Sequence, residues 1–334
     1  LMGAGNVGQR FLDLVISKGD VLRERFGLDL VPVGVADTSG TAISSDGLDP
    51  EQVLQLKRQG LGVASYPRWG QPGCTALEMV QTATADLLLD ASPASMEDGQ
   101  PGLSCIETAL AKGMHVVTAN KVPLVLAFPR LLDLAREQGV ALRFDATVAG
   151  GLPAVNLGQR DLATADIYRL EGILNLTTNY ILTRMADDGL SYGEALADAQ
   201  VAGHAEADPT LDVEGWDAAN KLVILAHSVL GVPARLEDIE VEGITTVTEE
   251  MLAQAAAEGK RVKPVAIADR SSYYALKASA NGIGLVGVPG VTMDVDNLDV
   301  AVNGSSVPAT GGSSPTGPPP AVINFTATGS SFGS

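Results

Sequence analysis

The chain is poor in cysteine, histidine, aromatic residues and positive charge, and each shortage removes a class of protein. Two cysteines, Cys74 and Cys105, are too few for a disulfide framework and suit a reducing cytosol. As buried small apolar residues they need no other role. Three histidines, His115, His204 and His227, share no metal-ligand spacing with one another or with the cysteines, which argues against a transition-metal site. Lys and Arg number 22 against 40 Asp and Glu, a formal charge of −18. The basic patches that would hold nucleic acid or an anionic membrane are therefore not expected. No apolar run approaches the roughly eighteen residues needed to cross a bilayer. No signal peptide is apparent, and the abrupt opening Leu1-Met2-Gly3 leaves room for residues upstream.

What is abundant is apolar: hydrophobic residues make up 46% of 334, enough to bury two cores rather than one. The N-terminal stretch LMGAGNVGQRFLDLV carries Gly3-x-Gly5-x-x-Gly8, followed by helical spacing at Val7, Phe11, Leu14 and Val15. Glycine is asked for three times: for a tight turn, for backbone approach to a pyrophosphate, and for close helix–strand packing. Anionic phosphates then sit on the free N–H groups of the helix N-terminus, around Asn6 and Val7. Only Leu1 and Met2 stand for the strand before this turn. The next apolar run, Leu30 to Ala36, closes on Asp37. An acid there is placed either to bind a ribose 2′-OH, favouring NAD over NADP, or to form the turn before Thr38-Ser39-Gly40.

Further βα units follow. Asp86–Ala91 reads as a strand before the loop Ser92-Pro93-Ala94-Ser95. Ser104–Lys112 reads as a helix ending at Gly113, His115–Lys121 as a strand running into a polar loop, Leu131–Gln138 as a helix and Val140–Phe144 as a strand. This alternation predicts an α/β fold with a Rossmann-type doubly wound parallel sheet. Ligands in such sheets bind at the carboxyl ends of the strands, which puts the glycine turn, Asp37, Ser92, Pro93 and Lys121 on one rim. The first domain is expected over 1–145 and a second, α+β, domain over 146–304, with 305–334 a candidate to complete the first.

The second domain centres on Ala199–Lys221, AQVAGHAEADPTLDVEGWDAANK, which runs into the apolar LVILA. Asp208-Pro209 is a turn signal, Asp212 a helix N-cap candidate, and the helix would run to about Leu230, with Gly231 at its C′ position. Asp217 and Lys221, four apart, share one face of it. By spacing alone they are a solvated surface pair. Earlier, Tyr168–Leu174 reads as a strand, and Asn179–Asp187 and Tyr192–Val201 as helices; later, Ile239–Ile244 reads as a strand and Glu249–Glu258 as a helix.

Order changes the reading. Ala199, Gly203, Asp208, Pro209, Asp212, Gly215, Asp217 and Lys221 stand in the register of the homoserine dehydrogenase family, which this stretch resembles. Val116-Val117-Thr118-Ala119-Asn120-Lys121 resembles the family segment whose lysine reaches the active site, and Gly172–Asn179 resembles its Gly-Ile-Leu-Asn-Gly-Thr-Thr-Asn run. The resemblance covers roughly residues 1–265 and fits a short monofunctional form. Two positions depart from it: Leu176 replaces a glycine, which puts the local backbone in doubt, and His204 stands where an aromatic or aliphatic residue is usual.

The resemblance implies NAD- or NADP-linked interconversion of L-homoserine and L-aspartate 4-semialdehyde, in threonine and methionine biosynthesis, by a cytoplasmic homodimer. It implies Lys221 as the acid/base group, Lys121 as its partner at the reacting oxygen, and Asp217 as the residue positioning Lys221 or substrate. Glu206 and Asp212 would meet the substrate ammonium, and Asn175, Thr177 and Thr178 would line the pocket unless they are turn and cap residues. Asp145, Val148, Gly150 and Leu152 would offer backbone carbonyls to a monovalent cation such as sodium, a hard ion suited to oxygen ligands; as a plain hinge the segment needs no such role. Gly312, in a glycine-rich piece near the C-terminus, would return to the cofactor. Neither cysteine has a nucleophile setting, which disfavours a thiohemiacetal-forming dehydrogenase. Among enzymes, another amino-acid-pathway NAD(P) reductase is the alternative; a nucleotide-binding sensor without catalysis is the reading from another class, favoured by Leu176, His204 and the unusual Gly-, Ser-, Thr- and Pro-rich stretch over 281–334. Intact Lys121, Asp217 and Lys221 favour the enzyme.

Overall fold

The computed structural model describes residues 1–93 and 95–270, together with the backbone of four short strands between 276 and 324. The chain divides into two compact units, Leu1–Ala154 and Val155–Ser334.

The first unit is built on a mixed sheet. Its strands are β1 (Gly34–Asp37), β2 (Gly40–Ile43), β3 (Gly70–Pro72), β4 (Leu87–Asp90), β5 (His115–Thr118) and β6 (Leu142–Arg143). Met2 bridges Ala36 and Asp90 in parallel, so it joins two three-stranded pieces into the order β3-β2-β1-Met2-β4-β5-β6. Met2, β1, β4, β5 and β6 run parallel, and β2 runs antiparallel to both β1 and β3 on one flank. The strand order reverses beside Met2. That switch point lies directly below the glycine turn, which is where such sheets open a ligand crevice.

The helices are α1 (Asn6–Phe26), α2 (Pro50–Arg58), α3 (Ala76–Thr82), α4 (Gly102–Ala111) and α5 (Val122–Glu137). α1 packs on α2, around Leu12, Val35, Val53, Leu54 and Val63. α3, α4 and α5 pack in succession, burying Ile106, Leu110, Leu124 and Leu131 completely. Helix α5 begins nine residues before the expected Leu131. Pro123 sits in its first turn, where a missing N–H costs nothing, and Pro129 follows a kink at Ala127 that spares the ring a clash. The apolar run Leu30–Ala36 forms a strand only from Gly34; Pro32 gives its carbonyl to Leu48 instead.

A short helical turn, α6 (Ala154–Asn156), spans the boundary and continues in the second unit as a π-turn over Leu157–Asp161. Its sheet has the order β13-β7-β9-β10-β8. The strands are β7 (Arg169–Ile173), β8 (Ile239–Val241), β9 (Val265–Asp269), β10 (Leu276–Ser279) and, beyond the pair β11 (Val291–Thr292) and β12 (Ala301–Val302), β13 (Val322–Asn324). β9 is antiparallel to β7 and β10, while β13 runs parallel to β7, so 322–324 pairs within this sheet. Helices α7 (Leu176–Asp188), α8 (Tyr192–Val201), α9 (Thr210–Val213), α10 (Trp216–Leu225) and α11 (Glu249–Ala257) complete it. Ile181, Leu182, Met185, Ala195, Ala199, Val213 and Ile244 form one core between them, and α10 packs on β8, β9 and β10.

Leu176 takes an ordinary helical place as the first residue of α7 and is 63% exposed. The doubt that a glycine was needed there is removed. Arg68 alone among the described non-glycine residues has positive φ.

Candidate active site

The second unit places its polar residues around one asparagine. Asn175 caps α7, its side-chain oxygen accepting from the backbone N–H of Thr178 at 2.8 Å and from the Thr178 hydroxyl at 2.9 Å. This fixes the amide the other way round for its Nδ2, which donates to Asp212 at 2.6 Å and to Asp217 at 2.8 Å. All four hydrogen-bonding positions of the amide are then used. Asn175 is thus the cap of α7 and at the same time the bridge between two carboxylates.

Asp212 is not a helix cap. The expected single helix over 212–230 is interrupted by Gly215, at φ +91°, between α9 and α10. A Cβ at Gly215 would stand 3.0 Å from the carbonyl oxygen of Glu242, so only glycine lets the chain turn this close to β8. The break turns the Asp212 carboxylate toward α7 instead, to accept from Asn175 and, at 2.9 Å, from the Thr177 hydroxyl. That hydroxyl also faces the carbonyl of His204 at 2.6 Å. One proton is shared between two acceptors, which leaves Asp212 able to take a further donor.

Helix α10 carries Asp217 and Lys221 one turn apart, Nζ to Oδ2 at 2.6 Å, and Lys221 also donates to the carbonyl of Leu174 at 2.6 Å. Their side chains are only 10% and 16% exposed. The pair is therefore not the solvated surface pair that spacing alone suggests. As expected, Gly231 ends the helical run at φ +66°, though the last turn, Ala226–Leu230, is a π-turn. Among the described residues the cluster holds two carboxylates and one ammonium, a formal charge of one negative. Glu206 is exposed outside this network and contributes its backbone carbonyl to Gln200. His204 tilts its ring against Tyr180, 4.8 Å between centroids.

Removing the amide of Asn175 takes a donor from the buried Asp217 and the half-buried Asp212, and the cap from α7. Asn175→Ala is expected to cost about 2–4 kcal/mol of stability, the sum of an unsatisfied-group penalty and a lost cap, in urea denaturation. A loss under 0.5 kcal/mol would contradict the network.

In the first unit, the glycine turn is shaped as its spacing asks. Gly3 has φ +91°, and a Cβ there would stand 2.5 Å from the carbonyl oxygen of Ala91. A Cβ on Gly8 would lie 1.9 Å from the carbonyl oxygen of Gly3, whereas one on Gly5 would meet nothing within 4 Å. Gly5 is the N-cap of α1 and no side chain caps the helix, so Asn6, Val7 and Gly8 open it over an unfilled space at Gly5. A cradle of free N–H groups with room beside Gly5 fits a dinucleotide pyrophosphate. Ser92 lies on the same rim, held by Asp90, with Pro93 next to it, and Lys121 precedes α5.

Asp37 ends β1 and forms the turn: its Oδ1 accepts from the backbone and hydroxyl of Ser39. Its Oδ2 accepts from Lys57 on α2, at 2.6 Å, and from the N–H of Val63. Burial alone would raise its pKa; the hydrogen bonds from Lys57, Ser39 and Val63 outweigh that and hold the carboxyl below the usual carboxylate range. Lys57 was missed by sequence reasoning because α2 was not recognised. Asp49-Pro50, an N-cap followed by proline at the first helical position, was the available signal.

Asp145, Val148, Gly150 and Leu152 lie in a loop that turns twice before α6, with Gly150 at φ +59°. The carbonyls of Asp145 and Leu152 accept from the N–H groups of Val148 and Ala154. Gly312 lies outside the described residues.

Residues 153–305 match the family model for homoserine dehydrogenase. The homoserine dehydrogenase of Methanocaldococcus jannaschii is 36% identical over 263 residues, 79% of this chain and 78% of its own. The NAD(+)-dependent homoserine dehydrogenase of Pseudomonas canavaninivorans is 34% identical over 84% of this chain and 79% of its own. Among solved structures, a hyperthermophilic archaeal homoserine dehydrogenase in complex with NADPH superposes with a TM-score of 0.69 at 25% identity, covering 87% of this chain and 84% of that one. With the glycine cradle of the first unit and the Asn175-centred acid–lysine cluster of the second, these matches establish that the chain belongs to the homoserine dehydrogenase family.

Proposed function

We infer that the protein is an NAD(P)-dependent oxidoreductase that interconverts L-homoserine and L-aspartate 4-semialdehyde. The observation that carries this is Lys221, held between Asp217 and the carbonyl of Leu174 beside Asp212 and Asn175. When bound, the nicotinamide supplies a hydride acceptor or donor. The chain supplies the rest. In the reductive direction the Lys221 ammonium, fixed by Asp217, gives a proton to the carbonyl oxygen of the substrate; in the oxidative direction the neutral amine takes the hydroxyl proton and becomes that ammonium, with Lys121 its partner at the reacting oxygen. The substrate α-ammonium meets the net negative charge of the cluster, with Asp212, Thr177 and Thr178 nearest it and Glu206 on the exposed side. The cofactor lies along Gly3, Gly5, Asn6, Val7, Gly8, Ser92 and Pro93. Formation of the reduced-nicotinamide absorbance from L-homoserine with NAD or NADP tests the reading; folded protein that turns over with neither overturns it.

NAD is placed ahead of NADP because Asp37 sets a carboxylate at the end of the second strand in the sequence, where it would repel a 2′-phosphate. Lys57, 2.6 Å away, offsets part of that repulsion. Lys57→Met is therefore expected to lower kcat/KM with NADP at least about tenfold more than with NAD, a difference of about 1.4 kcal/mol. Equal losses with both would remove the pair from cofactor choice.

A monovalent cation on the carbonyls of Asp145, Val148, Gly150 and Leu152 is a further part of the reading. Carbonyl oxygens are hard donors of the kind such a cation takes. Replacement of sodium by choline at constant ionic strength should slow turnover, and an unchanged rate would remove the cation. A homodimer formed through the second unit completes the proposal; a monomeric mass in solution at working concentration would contradict it.

A further inference from the structure

The carboxylate of Asp90 is completely buried at the carboxyl end of β4, and the mechanism above does not use it. Its Oδ1 accepts from the backbone N–H of Ser92 at 3.0 Å and from the Ser92 hydroxyl at 2.7 Å. Its Oδ2 accepts from the hydroxyl of Thr118, at the end of β5, at 3.1 Å. The Thr118 oxygen accepts in turn from the N–H of Asn120 at 2.9 Å, and the Asn120 side chain accepts from the N–H of Val122, the first residue of α5. One carboxylate thus connects the loop after β4 to the loop after β5, and the second of those loops carries Lys121. A Cβ on Gly102, which opens α4, would stand 2.7 Å from Nδ2 of Asn120 and 3.5 Å from Oδ2 of Asp90, so α4 closes over the network without space for a side chain.

We propose that Asp90 is a positioning residue for the dinucleotide, holding the Ser92-Pro93 loop and the Asn120-Lys121 loop in the register at which they meet it. A fully buried carboxylate with hydroxyl and N–H partners costs more than an apolar side chain would at the same place. Burial pushes its carboxyl above the usual range in spite of those hydrogen bonds, so the site spends stability to keep it. A purely structural strand end needs no such group: Thr118 and Ser92 could each be replaced by a small apolar residue. What the carboxylate adds is a rigid link between two loops twenty-eight residues apart in sequence. The proposal rests on the dinucleotide reading of this rim.

The test is fluorescence titration of NADH and NADPH into wild type, Asp90→Asn and Thr118→Val, with KM for L-homoserine at saturating cofactor and thermal melting alongside. Asp90→Asn keeps the shape but puts an N–H group against a proton-bearing neighbour, and should weaken dinucleotide binding at least tenfold. Thr118→Val cuts the same link from the other side and should weaken it about threefold or more; it carries the test if Asp90→Asn does not fold. In both, KM for homoserine should stay within about twofold. Dinucleotide affinity within twofold of wild type in folded variants would overturn the proposal. So would equal losses for cofactor and homoserine that track the melting temperature, since a general loosening would produce them. Wild type that binds neither dinucleotide would instead overturn the cofactor reading itself.

Discussion

Lys221→Ala is expected to lower kcat by about 10²–10⁴-fold, the range that a positioned acid/base group supplies. The ammonium sits 2.6 Å from Asp217 and 2.6 Å from the carbonyl of Leu174, so its place is fixed before substrate arrives. Lys221→Arg should not restore turnover. A guanidinium is larger and stays protonated, and cannot take a proton from an alcohol. Truncation also removes a donor from Asp217 and from Leu174, at a cost of about 1–3 kcal/mol, so folding must be checked by circular dichroism beside the kinetics. A kcat within about threefold of wild type in folded Lys221→Ala would contradict the assigned role.

Gly8→Ala is expected to weaken dinucleotide binding by about a hundredfold or more and to destabilise the first unit by about 3 kcal/mol. Its Cβ would lie 1.9 Å from a backbone oxygen of the same turn, which no rotamer change relieves. Gly5→Ala makes the informative contrast. Its Cβ meets no protein atom within 4 Å, so stability should change by less than about 0.5 kcal/mol while dinucleotide affinity still falls. NADH fluorescence titration and urea denaturation separate the two. If Gly5→Ala binds as wild type does, the space beside Gly5 is not the pyrophosphate cradle.

Both sites were partly visible in the sequence, for different reasons. The Gly3–Gly8 spacing is a local code, since the constraints it answers act within one turn, and the structure returns the positive φ and the close approaches that it implies. Strands β4 and β5 and helix α8 were legible because burial and capping are written in consecutive residues. The stretch 199–221 was recognised by order, yet its local reading was wrong at Asp212. Nothing near Asp212 says that Gly215 breaks the helix, because the reason is β8, some twenty-six residues later. Helices α2 and α3 carried readable signals in Asp49-Pro50 and in the Thr75/Glu78 capping box, but these were overlooked. The Asp90–Thr118 link and the Asn175 fork were not legible at all. Each joins residues that only the sheet or the helix packing brings together, 28 residues apart in the first case and 37 and 42 in the second.

The central claim is hydride transfer from the substrate carbinol carbon under the control of Lys221. L-homoserine bearing deuterium on that carbon, incubated with oxidised dinucleotide, tests it directly by mass spectrometry of the reduced cofactor. The account predicts deuterium in the reduced dinucleotide from wild type and its near absence from folded Lys221→Ala. Folded wild type that binds dinucleotide but leaves it unlabelled would contradict the account, and would leave the chain as a nucleotide-binding protein with an acid–lysine cluster of another purpose.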